Sequence, residues 1–238
     1  IGSNLRTLGK NTLNLGSIGN GPLINYAVFN EYIKKNLELD NSIVVYMFFE
    51  NDFQELKLEK QSKFLKNYLN DKNFSQNLVD KQKIVDELIK NQIFNLSSKK
   101  IREYKKSKII KFLFLNKLRY QISLIKLKKK IDNDFSEEKI IFKKLLYQMK
   151  NFLNKNNSDL ILLYLPSYDV IKNKKQYENY DFIKNLSKEM KIKFIDIREE
   201  IFKKEKNPLK LFPFELNGHY NVEGYKKVAE TIYKFTKD

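Results

Sequence analysis

The chain has 238 residues, of which 42% are hydrophobic, with no cysteine, no tryptophan and a formal net charge of +17. A chain of this length can bury a sizeable core and is most simply one domain, 1–238, with an elaboration inside it. The absence of cysteine excludes disulfides and thiolate metal sites, and a single histidine leaves no recognisable set of metal ligands. The composition therefore offers no recognisable metal site.

The positive charge favours nonspecific attraction to anions, but charge alone does not indicate a dedicated site. Lysine, asparagine, isoleucine and phenylalanine are abundant, whereas there are only 7 glycines and 4 prolines. This usage is typical of an AT-rich genome, so we interpret most lysines as solvated surface. No RNP, zinc-finger or helix-turn-helix signature is present, and no specific nucleic-acid partner is predicted.

The first residues, "IGSNLRTLGKN", contain no initiator methionine, no charged leader and no apolar signal segment. We expect the chain to be part of a longer protein. Cytoplasmic and periplasmic or envelope locations both stay open, because proteins in each can lack cysteine. The composition does not indicate an oligomeric state.

The elements alternate between strands and helices along the chain. In order, the pattern predicts a short apolar strand at 12–15, a glycine-rich turn at 16–22, a helix at 23–36, a strand at 42–49, a helical stretch at 56–156, strands at 159–167 and 192–197, and a final helix at 222–235. This alternation predicts an α/β fold with a parallel sheet. Functional sites in such sheets lie at the carboxyl ends of the strands.

The stretch 56–156 is far longer than an ordinary crossover, so we interpret it as a helical insertion or cap. Within it, 99–130 is strongly basic, has Glu103 as its only acid and carries regularly spaced apolar residues. Such a segment can lie on an anionic membrane as an amphipathic helix. It can equally pack its apolar stripe on the domain beneath a lysine-covered face. Both interpretations stay open.

The groups that could take part in catalysis lie in three loops: the glycine turn, "FENDF" after the second predicted strand, and "NGHYNVEG" before the last helix. Backbone N–H groups at Gly19 and the Asn51 amide could together form an oxyanion hole. His219, the only histidine, could then be a general base. Taken singly, each feature is also compatible with a turn, a helix cap or an exposed loop residue.

In this order, "LNLGSIGNG", "FENDF" and "GHYNVEGYKKVAETI" resemble the conserved blocks of the SGNH hydrolase superfamily, the GDSL-type lipases and esterases. The resemblance covers most of the strand-bearing chain and excludes the insertion. It implies a three-layer α/β/α, flavodoxin-like fold and a serine ester hydrolase or O-acyl transferase. The implied substrate is an acyl ester of a small molecule, lipid or glycan, and no cofactor is needed.

The resemblance assigns the oxyanion hole to Gly19 and Asn51 and the catalytic base to His219. It also suggests that Asn221 caps the last helix and that Gly224 allows close packing. The chain departs from the family in two places. It contains no Gly-Asp-Ser block, so we expect the nucleophilic serine upstream of Ile1.

The second departure concerns the acid of the triad. Leu216 stands where the family has aspartate, three residues before His219. Glu215 and Asn217 are the candidates to replace this aspartate; a Ser-His dyad without the acid and an inactive site are the alternatives that stay open. An amide can orient an imidazole, but it stabilises the imidazolium far less than a carboxylate does.

Two alternative functions stay open. Ser17, Asp196 and His219 occur in the chain order of an α/β-hydrolase triad, although Leu15 occupies the glycine position of the usual nucleophile elbow. The chain could also be a non-catalytic module that binds an anionic membrane or polymer through its basic insertion, since a fold does not determine a function.

Overall fold

The computed structural model describes residues 1–17, 19–35, 39–91, 134–173 and 178–237. The chain forms two compact units, 1–75 with 135–238, and 76–134. The second unit contains fewer residues than the predicted insertion at 56–156, because a helix at Ser136–Asn154 contributes to the core of the first unit. Residues 82–91 of the second unit are helical and mostly exposed. The basic stretch 99–130 lies outside the described residues.

The elements of the first unit come from two stretches of the chain, 1–75 and 135–238. In chain order they are α1 (Gly2–Thr7), α2 (Pro22–Val28) continued by a π-helical turn (Phe29–Ile33), β1 (Ile43–Phe49), α3 (Asp52–Glu59), α4 (Lys66–Asn70), α5 (Ser136–Asn154), β2 (Asp159–Leu165), α6 (Tyr168–Asn173), α7 (Glu178–Glu189), β3 (Lys193–Asp196), α8 (Ile197–Glu200), 3-10 turns at Phe202–Lys204, Pro208–Leu211 and Pro213–Glu215, and α9 (Val222–Phe235).

The three strands form one parallel sheet in the order β1-β2-β3. Ile43 pairs with Asp159, and Ile161 pairs with Lys193. The chain is thus a mixed α/β protein with a parallel sheet, and the three β-branched and aromatic runs form strands as predicted. The prediction of a strand at 12–15 is wrong, because these residues have irregular structure and pair with none of the described strands.

Side chains of alternate residues of β2 enter two separate apolar clusters. Leu162 and Tyr164 belong to a cluster with residues of α2, α3, α5 and α7. Ile161 and Leu163 belong to a second cluster with residues of α1, α6, α8 and α9. Because successive side chains of a strand point to opposite faces, helices cover both faces of the sheet. None of the described helices is long and apolar enough to cross a membrane.

The start of α9 is held by a side-chain cap and a close approach. The Asn221 side chain accepts a hydrogen bond from the Gly224 N–H at 2.9 Å. A Cβ on Gly224 would lie 2.9 Å from the Leu211 carbonyl oxygen and 2.9 Å from the Tyr220 Cβ. The predicted cap and the predicted close packing are both confirmed. The loop that carries His219 therefore enters α9 in a constrained geometry.

We expect Gly224→Ala to lower the free energy of unfolding by about 1–3 kcal/mol, because a methyl group must displace a backbone carbonyl in a packed region. The matched control is Gly218→Ala in the same loop, where an added Cβ meets no heavy atom within 4 Å. Urea unfolding of both variants and the wild type measures the difference. Equal stability of the two variants would contradict the packing role of Gly224.

Candidate functional site

The glycine turn is bound to α3 through one carboxylate. The Gly21 and Leu23 N–H groups donate to the Glu59 carboxylate at 2.6 and 2.9 Å. A Cβ on Gly21 would lie 2.7 Å from the Glu55 Cβ, so only glycine allows this approach. The turn before α2 therefore lies directly against the side chains of α3.

Asn51 follows β1 and precedes the first residue of α3. Its side-chain nitrogen donates to Glu55 Oε1 at 2.8 Å, and the residue is exposed. The side chain makes no capping hydrogen bond to the helix. Its amide is therefore directed along the surface of α3 toward Glu55.

His219 reaches the same place from the loop before α9. Its ring centroid lies 5.8 Å from that of Phe49, the last residue of β1. It is also close enough to Glu55 to act on that carboxyl: burial raises the pKa of Glu55, while the Asn51 hydrogen bond and the charge of His219 lower it in part. His219 is exposed, so its imidazole is accessible from solution.

Glu55 is thus the side chain that the three loops share, and it was not predicted from the sequence. It contacts Asn51, lies against Gly21 and interacts electrostatically with His219. The available signal was its position four residues after Asn51, which places the two side chains on one face of the helical turn.

Gly19 lies in the same turn but does not take part in these contacts. Its φ of +78° is in the left-handed region that favours glycine, and an added Cβ would meet no heavy atom within 4 Å. The turn touches α3 through Gly21, two residues later. A side chain at position 19 would therefore point into open space.

The two residues proposed to replace the triad aspartate are exposed. The Glu215 carboxylate accepts a hydrogen bond from Asn207 at 3.0 Å, and its carbonyl oxygen accepts one from the Tyr168 hydroxyl at 2.9 Å. Glu215 is thereby held toward the preceding loop, and the assignment of Glu215 or Asn217 stays a prediction. The carboxylate that the structure brings into interaction with His219 is Glu55.

The residues of the alternative triad have other contacts. Ser17 is exposed, and its carbonyl oxygen accepts from the Asn20 N–H at 3.4 Å. The Asp196 carboxylate caps α8 through the Arg198 and Glu199 N–H groups and accepts from the Tyr180 hydroxyl at 2.6 Å. Asp196 therefore has a full set of structural partners at the end of β3.

Buried carboxyl groups surround the junction of β1 and α3. Burial is the largest cause of a raised pKa at Glu50 and Glu59, and it raises the pKa of Asp52 well above the usual range. Glu50 accepts a hydrogen bond from Tyr164 and is partly stabilised as an anion by Arg198. The junction thus concentrates acidic groups in a chain that is basic overall.

The described residues contain no group of three or more histidine, cysteine, aspartate or glutamate side chains that could hold a metal ion. A cavity of about 350 Å³ lies at the amino ends of β1 and β2, where Ile43 and Asp159 line it with Lys193. It is at the opposite end of the strands from Phe49 and Asn51. The candidate site is instead an open surface formed by Asn51, Glu55 and His219.

Comparisons of the chain with protein-family models, with curated proteins and with solved structures found no match.

We expect Asp52→Asn to stabilise the protein at neutral pH and to flatten the pH dependence of its stability. A carboxyl with a raised pKa in the folded state contributes stability below its unfolded pKa of about 3.9, and this contribution is lost as pH rises through the folded value. The Asn carbonyl oxygen can still accept from the Tyr46 hydroxyl, which lies 3.4 Å from Asp52 Oδ2. Urea midpoints between pH 4 and pH 8 measure the effect.

The surface carboxylates Glu199, Glu200 and Glu205 have a pKa lowered chiefly by lysine partners and act in the opposite direction. These carboxylates are the same in the variant and the wild type, so their contribution cancels when the two pH profiles of stability are subtracted. Asp169→Asn, at an exposed position of α6, is the control for the loss of one carboxylate from the chain. A parallel pH profile for Asp52→Asn and wild type would contradict the role given to Asp52.

Proposed function

We propose that this chain carries the site of an SGNH-type serine ester hydrolase or O-acyl transferase on a three-layer α/β/α, flavodoxin-like fold. The observation that supports the proposal is the convergence of three loops on Glu55, which accepts from the Asn51 amide, packs against Gly21 and interacts electrostatically with His219. The three loops hold the glycine turn, the residue after β1 and the histidine before α9. These are the three blocks on which the resemblance rests, and they lie far apart in the sequence.

In the proposed reaction, a serine oxygen attacks the carbonyl carbon of an acyl ester while His219 removes the serine proton. The tetrahedral intermediate expels the alcohol, which takes that proton from His219. Water or an acceptor hydroxyl then gives its proton to His219 and attacks the acyl carbon, and the bond between the serine oxygen and the acyl group breaks as His219 returns the proton to that oxygen, completing hydrolysis or acyl transfer. The nucleophile belongs to a Gly-Asp-Ser block, which 1–238 does not contain.

The developing oxyanion is held by Asn51 and the Gly19 N–H. A side-chain amide has two N–H donors, and Glu55 accepts only one of them from Asn51. The second donor is available for a substrate oxygen. Donors that are already oriented before the reaction stabilise the transition state without reorganisation.

Glu55 takes the role of the missing triad aspartate. An anion beside the imidazole stabilises the imidazolium that forms when His219 accepts a proton. The same carboxylate orients Asn51, so it acts on both the base and the oxyanion hole. We assign it as a positioning residue, because it acts through these two side chains.

The openness of the site supports a substrate whose acyl group is attached to a larger body. Asn51 and His219 are exposed on a surface near the end of β1. An acyl ester at the edge of a lipid or glycan can reach such a surface without entering a deep cavity. This agrees with a lipid or carbohydrate acyl ester as the substrate class.

The test uses the product of the complete gene and hydrolysis of p-nitrophenyl acetate. We expect His219→Ala and Asn51→Ala each to lower kcat/KM by about 10²–10⁴-fold, the range for loss of a general base or an oxyanion donor. Glu55→Gln keeps an acceptor for Asn51 but removes the charge, so it should lower kcat more than it changes KM. Glu215→Gln distinguishes the two candidate acids: a greater loss of kcat for Glu215→Gln than for Glu55→Gln would assign the role of the triad acid to Glu215.

A fluorophosphonate that labels nucleophilic serines identifies the attacking residue by peptide mapping. Labelling of a Gly-Asp-Ser serine agrees with the proposal. Labelling of Ser17, with loss of activity in Ser17→Ala, would instead support the α/β-hydrolase alternative. Wild-type activity that survives His219→Ala would show that the base has been assigned incorrectly.

A further inference from the structure

A cavity of about 220 Å³ lies in the first unit at the end of the helix formed by α2 and its π-helical turn. Its walls include Asn30 and Lys34 from this helix, Phe74 and Ser75 from the segment after α4, and Phe152 from α5. We call it the Asn30 cavity. The glycine turn precedes the other end of the same helix, so the cavity is separate from the candidate site. Drug-sized ligands occupy about 300–1,000 Å³, so this volume suits a smaller molecule.

Asn30 is a buried amide whose hydrogen-bonding groups are unused. The residue is 3% exposed, and neither its Nδ2 nor its Oδ1 has a hydrogen-bond partner among the described residues. The neighbouring Tyr26 hydroxyl donates to Gln148 instead. Burial raises the pKa of Tyr26, and the nearby Asn30 side chain lowers it only in part. A buried donor and acceptor without partners are costly, so a ligand that pairs with both would bind favourably.

The backbone around Asn30 is also unusual. The Lys34 N–H donates to the Phe29 carbonyl oxygen at 2.9 Å, which makes the wide turn of a π-helix at Phe29–Ile33. Such turns are rare and are frequent at functional sites. Asn30 and Lys34 are both held at the cavity by this turn.

The surroundings of Lys34 remain positive despite a nearby acid. Its Nζ donates to the Lys72 carbonyl oxygen at 2.9 Å, which is a neutral acceptor. Burial lowers the pKa of Lys34, and the charges of Lys35 and Lys72 lower it further, whereas Asp71 opposes them only in part. If acids balanced these lysines, the pKa of Lys34 would be raised instead. An anion in the cavity would relieve this repulsion.

The buried carboxyl of Glu31 offsets part of the local charge, but it is held by other donors. It accepts from the Tyr68 hydroxyl at 2.7 Å and from the Ser75 hydroxyl at 2.9 Å. These two hydrogen bonds direct its oxygens toward the segment after α3. The Ser75 side chain at the cavity wall is therefore used by Glu31.

Phe74 and Phe152 supply the apolar part of the wall. The Phe152 ring packs edge-on against Phe29 with centroids 5.7 Å apart, and the Phe74 ring packs edge-on against Tyr68 at 4.8 Å. Both phenylalanines are partly exposed, so each ring keeps some surface that a ligand can cover. An apolar body placed there gains from leaving water.

We propose that the Asn30 cavity binds a small organic carboxylate with a hydroxyl on the carbon next to the carboxyl group and an apolar body. The carboxylate accepts from Lys34 and from Asn30 Nδ2, and the hydroxyl donates to Asn30 Oδ1. The apolar body covers Phe74 and Phe152. An amino acid fits less well, because its ammonium group would add a further positive charge. Binding here does not depend on ester chemistry at His219.

Isothermal titration calorimetry with the product of the complete gene tests the ligand class. Mandelate carries the carboxylate, the hydroxyl and a phenyl ring, whereas phenylacetate lacks the hydroxyl and mandelamide lacks the charge. We expect mandelate to bind about tenfold or more tightly than either of them. Inorganic phosphate controls for nonspecific attraction to a basic chain and should also bind more weakly. Equal binding of mandelamide or phosphate, or no binding of mandelate at millimolar concentration, would overturn the proposal.

Two variants separate a binding role of the cavity residues from a structural one. Asn30→Leu removes the unpaired donor and acceptor, so it should raise the urea midpoint and yet weaken mandelate binding about tenfold or more. Lys34→Gln keeps a donor for the Lys72 carbonyl oxygen but removes the charge, and it should weaken binding to a similar extent. Lys66→Gln, at an exposed position of α4, is the matched control and should change affinity less than twofold.

A lower urea midpoint for Asn30→Leu would show that the amide is structural and would contradict its assignment to a ligand. Mandelate binding that survives in both Asn30→Leu and Lys34→Gln would place the ligand elsewhere and also overturn the proposal. Circular dichroism checks that each variant is folded.

Discussion

The Glu59 carboxylate joins the start of α2 to α3, and the geometry of the candidate site depends on this bond. The first N–H groups of a helix have no partner within the helix, and Glu59 accepts two of them, from Gly21 and Leu23. A negative charge at this end of a helix is favourable, which offsets part of the cost of burying the carboxyl. Glu55, one turn earlier on α3, is thereby placed against the glycine turn.

The electrostatics of the site differ from those of the whole chain. The chain has a net charge of +17, yet the segment from Glu50 to Glu59 contributes four carboxyl groups whose pKa is raised mainly by burial. His219 is close enough to one of them, Glu55, for its charge to lower the pKa of that carboxyl in part. The average charge therefore says little about the environment of the imidazole, which is set by α3.

Strong local patterns in the sequence were sufficient to predict the sheet and the last helix. Continuous β-branched and aromatic runs formed β1, β2 and β3, and Asn221 and Gly224 had the predicted cap and packing roles. These features depend on neighbouring residues and on the hydrophobic pattern that leads to burial, and both can be read from a single sequence. The run at 12–15 is shorter and contains only one β-branched residue, and it pairs with none of the described strands, because pairing is not a local property.

The proximity of the three loops was predictable in outline, because carboxyl ends of parallel strands meet at one edge. The part played by Glu55 was not, since it results from how α3 packs beneath the glycine turn. Glu215 shows the same limit: it is near His219 in sequence, but its carboxylate contacts Asn207. Side-chain partners across loops depend on tertiary packing, which the spacing of residues does not encode.

β1 pairs with β2 although residues 50–158 separate the two strands in the sequence. This separation has a consequence for synthesis on the ribosome. β1 is translated long before its partner, so its apolar strand has no hydrogen-bonded neighbour while the intervening residues are made. His219 is translated later still. A nascent chain can therefore bring the glycine turn onto α3 early, but His219 is added only after all three strands have been translated. Premature termination before β2 would leave β1 without its partner strand and the chain without His219.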